Sequence, residues 1–277
     1  MLPPYDFGGR GLTLHLAHAN GFPPAAYRPL AEALTDRYRV LALPARPLWP
    51  GSHPQSAPTW HPLTDDLLHG LEGLGDDPVI GVGHSLGGVV TLWAAVRCPE
   101  RFRAVALMDP VILPPAWLGL VRLLRLLGVE RRLPLVRRAL RRRRTWPSRQ
   151  ACFEEYRRKS FFAGWPEESL RAYVEAGTRE RNDGSVELVY PPEWEAHIFA
   201  TTPTDVWRAV PRLSVPALFL RGAYSNTFRP ASQARVQRCL PQARCAVIGD
   251  AGHMLPFERP AQTARAIHDF LAGLGGG

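Results

Sequence analysis

The segment from Pro78 to Val96, PVIGVGHSLGGVVTLWAAV, limits the fold more than any other stretch of the chain. An apolar run, Val79–Gly83, passes directly through Gly83-His84-Ser85-Leu86-Gly87 into a longer apolar run, Leu86–Arg97. The first run has no polar residue on either alternating face, the pattern of a strand buried on both sides. The second has the length of a helix packed against such a sheet. A Gly-x-Ser-x-Gly pattern alone is weakly specific. Between a strand and a helix it makes a sharp turn that lifts a Ser hydroxyl out at the strand end.

The same alternation recurs on both sides of this segment. Strands are expected at Leu12–Ala17, Arg39–Leu43 and Phe102–Met108, with helices at Ala25–Thr35 and Thr59–Leu74. After a long interruption the pattern resumes with strands at Ala217–Leu220 and Ala246–Ile248 and helices at Pro230–Leu240 and Pro260–Leu274. Strand–helix alternation of this kind predicts an α/β fold with a mostly parallel sheet flanked by helices. The interruption, rich in Arg, Trp and Glu, shows helical runs at Leu118–Leu127, Leu135–Arg143 and Glu168–Ala176 with no strands between them. It is expected to be a helical cap over residues 111–210, inserted into a core of 1–110 and 211–277. Five of its residues, Trp117, Trp146, Trp165, Trp194 and Trp207, either line a site beneath it or form its own core.

Ser is a poor nucleophile unless a base takes its proton. Of nine histidines, His253 in GDAGHMLPFERP follows the last strand on a loop, where it can reach a Ser on another strand end. His15 falls inside a strand, and His69 and His268 fall on helices. His84, beside the nucleophile, is expected to point away from the path of Ser85. Two backbone donors are needed for the charge that develops on a substrate oxygen. The amide of Leu86 and the amide of Phe22, in the loop LAHANGFPPAAY, are the candidates.

The loop NGFPP, the elbow GHSLGG, the strand end LMDP and the stretch DAGHMLPFERP together resemble the α/β-hydrolase family. The resemblance covers essentially the whole chain, strongly in the core and weakly in the cap. It implies hydrolysis without a cofactor. It is nearest to the cap-bearing group of carboxylesterases, carbon–carbon bond hydrolases, haloalkane dehalogenases and epoxide hydrolases. The last two use an Asp nucleophile, so Ser85 favours the ester or carbon–carbon side.

Three departures from the family pattern stand out. Asn20 precedes Gly21 where the loop usually begins His-Gly, and LPARPLWPG replaces the usual Asp and RGHG-like turn. The third concerns the acid that orients the base. After the strand ALFLRG stand Ser225 and Asn226, where the family carries an Asp. Asn226 marks the alternative acid position, but it has no charge to offer. Asp109, at the end of the strand FRAVALM, is the expected acid, since in the family an acid at this strand end can replace the usual one. It could also be an ordinary turn residue before Pro110.

The chain has 34 Lys and Arg against 25 Asp and Glu, a net charge of +9. Eleven Arg and one acid, Glu130, fall between Val121 and Gln150, so the rest is close to neutral. The Arg-rich segment has three competing readings: a solvated cap face, a weakly membrane-associating or anion-steering surface, and a nucleic-acid contact. The last is disfavoured, because no base-reading module is visible. Four scattered Cys show no metal-ligand spacing, and no secretion signal or membrane span is visible, so the expected location is cytoplasmic. No feature sets an oligomeric state.

These observations predict a serine hydrolase acting on a small-molecule ester with an apolar acyl part through Ser85, His253 and Asp109. The same residues would serve carbon–carbon bond hydrolysis. A non-catalytic ligand-binding protein on the same fold is the reading from another class.

Overall fold

The computed structural model describes residues 2–274. Its strands are β1 (Tyr5–Gly8), β2 (Leu12–Ala17), β3 (Tyr38–Ala42), β4 (Val79–His84), β5 (Phe102–Met108), β6 (Thr145–Trp146), β7 (Thr178–Glu180), β8 (Val186–Leu188), β9 (Ala217–Gly222) and β10 (Arg244–Ile248). The helices are α1 (Arg28–Glu32), α2 (His61–Glu72), α3 (Leu86–Arg97), α4 (Pro115–Leu126), α5 (Pro134–Leu140), α6 (Arg149–Arg157), α7 (Glu167–Gly177), α8 (Pro192–Ala200), α9 (Pro230–Cys239), α10 (Leu255–Glu258) and α11 (Pro260–Ala272). No helix among the described residues is long and apolar enough to cross a membrane.

The main sheet has seven strands in the order β1-β3-β2-β4-β5-β9-β10. All neighbours run parallel except β1, which pairs antiparallel with β3 at the edge. Period-two alternation sorts the central side chains onto two faces. Ile80, Val82, Ala104, Ala106, Leu218 and Leu220 belong to one buried cluster. Val79, Val105, Leu107, Ala217 and Phe219 belong to the other, with α3. The strand order reverses between β2 and β4, and crevices at the carboxyl ends beside such a switch point are where parallel sheets bind ligands.

Two features of the fold differ from expectation. The edge strand β1 was not anticipated, because YDFG is short, part polar and carries a Gly. The inserted segment is not purely helical: β6, β8 and β7 form a small antiparallel sheet in that order. Its strands are only two or three residues long, too short for an alternation signal to register. Trp146, Trp165 and Trp194 are each buried; Trp165 stacks on Phe257 at 4.6 Å and Trp194 Nε1 donates to Ser52 Oγ at 3.1 Å, so these two seat the insertion on the core. Trp117 is exposed instead.

Candidate active site

Ser85 sits between β4 and α3 with φ 55° and ψ −112°, a backbone conformation that an L residue adopts only when its surroundings force it. Two contacts supply that force. The Ser85 amide donates to the carbonyl of Met108 on the neighbouring strand at 3.0 Å. A Cβ on Gly83 would lie 2.5 Å from the Gly87 carbonyl, and one on Gly87 would strike the carbonyl of Ala17. The two glycines flanking the serine therefore let the turn close.

His253 lies on the loop between β10 and α10 and brings its Nε2 to 2.9 Å from Ser85 Oγ. Its Nδ1 is 2.8 Å from Asp109 Oδ1. With Nδ1–H donating to the carboxylate, Nε2 is left as an acceptor for the Ser85 hydroxyl. Asp109 follows β5 with φ 44° and is wholly buried. Three further donors satisfy its oxygens: Ser225 Oγ at 2.6 Å, the Gly222 amide at 3.0 Å and the Phe228 amide at 3.2 Å. An unpaired buried carboxylate would be prohibitive, so this shell is a condition for placing an acid there.

The structure thus brings Ser85, His253 and Asp109 together, and it leaves Asn226 out. Asn226 is exposed, and its Oδ1 accepts from the Thr227 hydroxyl at 3.3 Å. Its neighbour Ser225 turns inward and donates to the relocated acid. The loop after β9 supplies donors where the family pattern has a carboxylate.

The oxyanion candidates differ from each other. Leu86 opens α3, where the first amides of a helix have no intrahelical partner. The Phe22 amide was expected to point inward, but it donates to the Ala19 carbonyl at 3.2 Å. Gly21, with φ 83°, stands at the third position of that turn, where a type II turn requires a positive φ. The Phe22 ring packs at 4.8 Å from Tyr173 and 5.1 Å from Phe257.

His84 contributes more than the sequence disclosed. Its side chain is buried and its Nε2–H donates to the His253 carbonyl at 2.9 Å. Its Nδ1 accepts from the Tyr27 hydroxyl at 2.7 Å, and the Tyr27 oxygen accepts from the Ala19 amide at 2.9 Å. Each donor in this chain fixes the next, so a neutral, Nε2-protonated His84 ties the base loop to the oxyanion loop. Burial and then the nearby His253 hold its pKa well below the usual histidine value. The signal for this role was a polar residue at the end of an otherwise apolar strand.

Asn20 explains its departure from His-Gly by what it touches. Its Nδ2 donates to the Glu195 carbonyl on α8, and its Oδ1 accepts from the Tyr190 hydroxyl, both at 3.0 Å. Above the same loop, Arg142 donates to Glu195 Oε2 at 2.5 Å and to the Tyr173 hydroxyl at 2.8 Å. A Cβ on Gly21 would come within 3.3–3.4 Å of Glu195 and Arg142. The insertion therefore rests on the oxyanion loop through buried polar groups. Below the loop, His15 and His18 are buried, and burial lowers their pKa values to about 3 and about 4.

A sequence model of the alpha/beta hydrolase family matches residues 16–266. Epoxide hydrolase A of Mycobacterium tuberculosis is 27% identical over 92% of this chain and 89% of its own length. The structure of an esterase from Thermogutta terrifontis is 25% identical, with a TM-score of 0.68, covering 98% of this chain and 93% of that one. The structure of an E-2-(acetamidomethylene)succinate hydrolase aligns with a TM-score of 0.80 at 21% identity, over 97% of this chain and 94% of that one.

Proposed function

The chain belongs to the alpha/beta hydrolase family, and on that premise we propose that it is a serine hydrolase cleaving a carboxylic ester or related acyl compound through an acyl-enzyme on Ser85. The observation that carries this reading is the continuous contact from Ser85 Oγ through His253 to Asp109, at 2.9 and 2.8 Å. A serine rather than an aspartate at the elbow favours acyl transfer over epoxide opening, and the likeness to an esterase points the same way.

In the proposed reaction His253 Nε2 takes the proton as Ser85 Oγ attacks the acyl carbon. Asp109 holds the ring in the required tautomer and stabilises the imidazolium. The oxyanion accepts from the Leu86 amide at the positive end of α3. Phe22 is the second donor, sharing its hydrogen between the Ala19 carbonyl and the new charge, as three-centre bonds do. His253 then gives its proton to the leaving group, and a water activated by the same nitrogen releases the acid. In this reading residues 1–110 and 211–277 carry the reacting groups, and residues 111–210 close over them. Beside Ser85 stand Leu86 and Val111, whose amide donates to the Ser85 carbonyl at 3.4 Å, and these suit an apolar acyl part.

The test is labelling of the purified protein by a fluorophosphonate, with turnover of short-chain nitrophenyl esters. Labelling at Ser85 and its loss in Ser85→Ala are expected. A protein that neither labels nor turns over any such ester overturns the reading.

A further inference from the structure

The helix α4 is apolar around most of its circumference. None of its residues is buried. Leu118, Val121, Leu124 and Arg125 are half-buried on its protein side, where Arg125 donates to the Thr202 carbonyl and the exposed Arg122 reaches the Thr204 carbonyl at 3.3 Å. Four leucines face outward: Leu120, Leu123, Leu126 and the adjoining Leu127 are 54%, 51%, 84% and 62% exposed, while the Arg229 guanidinium lies 4.9 Å over the Trp117 ring. At 3.6 residues per turn, Leu120, Leu123, Leu126 and Leu127 fall within about 120° of one another on one side of the helix. Large contiguous apolar patches on a soluble surface mark an interaction site.

The next helix carries a matching charge. α5 buries Val136 and Ala139 against Ala196 of α8, leaving Leu135 and Leu140 exposed among arginines. A groove of about 650 Å³ there is lined by Arg132, Arg137, Arg138, Arg141, Arg142 and Arg143, with Lys159 and Glu155 also on its wall. Arg142 pairs with Glu195, and Glu155 is neutralised by Arg143 and Lys159. Among the described residues Arg132, Arg137, Arg138 and Arg141 meet no carboxylate. Exposed leucines beside unpaired arginines are the composition of a helix lying in a membrane interface.

We propose that the α4–α5 face docks on the surface of a bilayer containing anionic lipid, the leucines entering the acyl boundary and the arginines meeting the headgroups. A second copy of the chain fits this face poorly, because a two-fold contact through the same patch would set these arginines against their own copies. The surface stands on the cap alone and does not depend on the reading at Ser85.

Flotation of the full chain with vesicles tests this. Binding is expected to vesicles of phosphatidylcholine mixed with phosphatidylglycerol, and to weaken as salt rises. Leu123→Asp with Leu126→Asp is expected to abolish binding with no change in the thermal midpoint, as both side chains are solvent-facing. Arg137→Gln with Arg141→Gln is expected to weaken it about thirtyfold. Ser85→Ala is expected to bind like the unaltered chain, which separates docking from catalysis. Equal binding by the Leu variant, or no binding to the mixed vesicles, overturns the proposal. A concentration-dependent dimer that the Leu variant abolishes, without vesicle binding, overturns it in favour of self-association.

Discussion

The carboxyl ends of β4 and β5 and the helices α4 and α5 treat charge in opposite ways. Asp109 is wholly buried and its oxygens accept from four donors, so its position is over-determined by two separate segments, the loop after β9 and the loop that carries His253. The arginines of α5 stand in water, and Leu120, Leu123 and Leu126 of α4 face outward. Arg142 marks the boundary between the regimes: it belongs to the same basic run, yet it is fixed within the inserted segment against Glu195, Tyr156 and Tyr173. A run of like residues therefore contains members with unrelated jobs, and only their surroundings separate them.

Several substitutions would break or sharpen this contrast. Asp109→Asn should lower kcat by about 10⁴-fold, because the His253 ring loses the acceptor that sets its tautomer. Asn226→Ala should leave kcat unchanged, and equal losses in the two variants would refute the assignment of the acid. Next in size, Arg142→Met leaves Glu195 buried without its partner and should cost about 3–5 kcal/mol in denaturant unfolding. The solvent-facing Arg141→Gln should stay within about 0.5 kcal/mol.

The buried histidines predict a pH dependence with a definite sign. His15, His18 and His84 are all held neutral by burial, with folded pKa values below the ordinary 6.5. The unfolded chain binds their protons first, so stability is complete above pH 6.5 and falls as the pH drops toward the folded values. Each contributes a slope of about 1.4 kcal/mol per pH unit within that window, ending near pH 4 for His18 and near pH 3 for His15. His18→Asn should reduce the measured slope. A smaller loss than that of Arg142→Met is expected at Tyr27: Tyr27→Phe leaves the Ala19 amide and His84 Nδ1 unpaired, costing about 1–3 kcal/mol. If the His84 link positions the base, kcat should fall while KM for a short ester holds steady.

Much of the site was legible because it is local. Strand, Gly-x-Ser-x-Gly and helix are contiguous, so Ser85 and Leu86 could be read without knowing what lies nearby. Asp109 was reached by noticing that the loop after ALFLRG has no carboxylate. The Ser225 hydroxyl that completes the shell of Asp109 was not legible, since its direction depends on how that loop folds over β5. Nor was the engagement of the Phe22 amide, which follows from the turn geometry at Gly21.

The sequence by itself determined the alternating α/β core, the elbow and the residue types available for chemistry, because periodicity and turn chemistry act over a few residues. Only the tertiary structure decided which carboxylate meets His253, and that His84 joins the base loop to the oxyanion loop. It also decided which way α4 faces. Leucines recur around most of that helix, so the spacing carries no information about which of them meet the protein, and only the packing shows Leu118 and Leu124 half-buried while Leu120, Leu123 and Leu126 stay exposed.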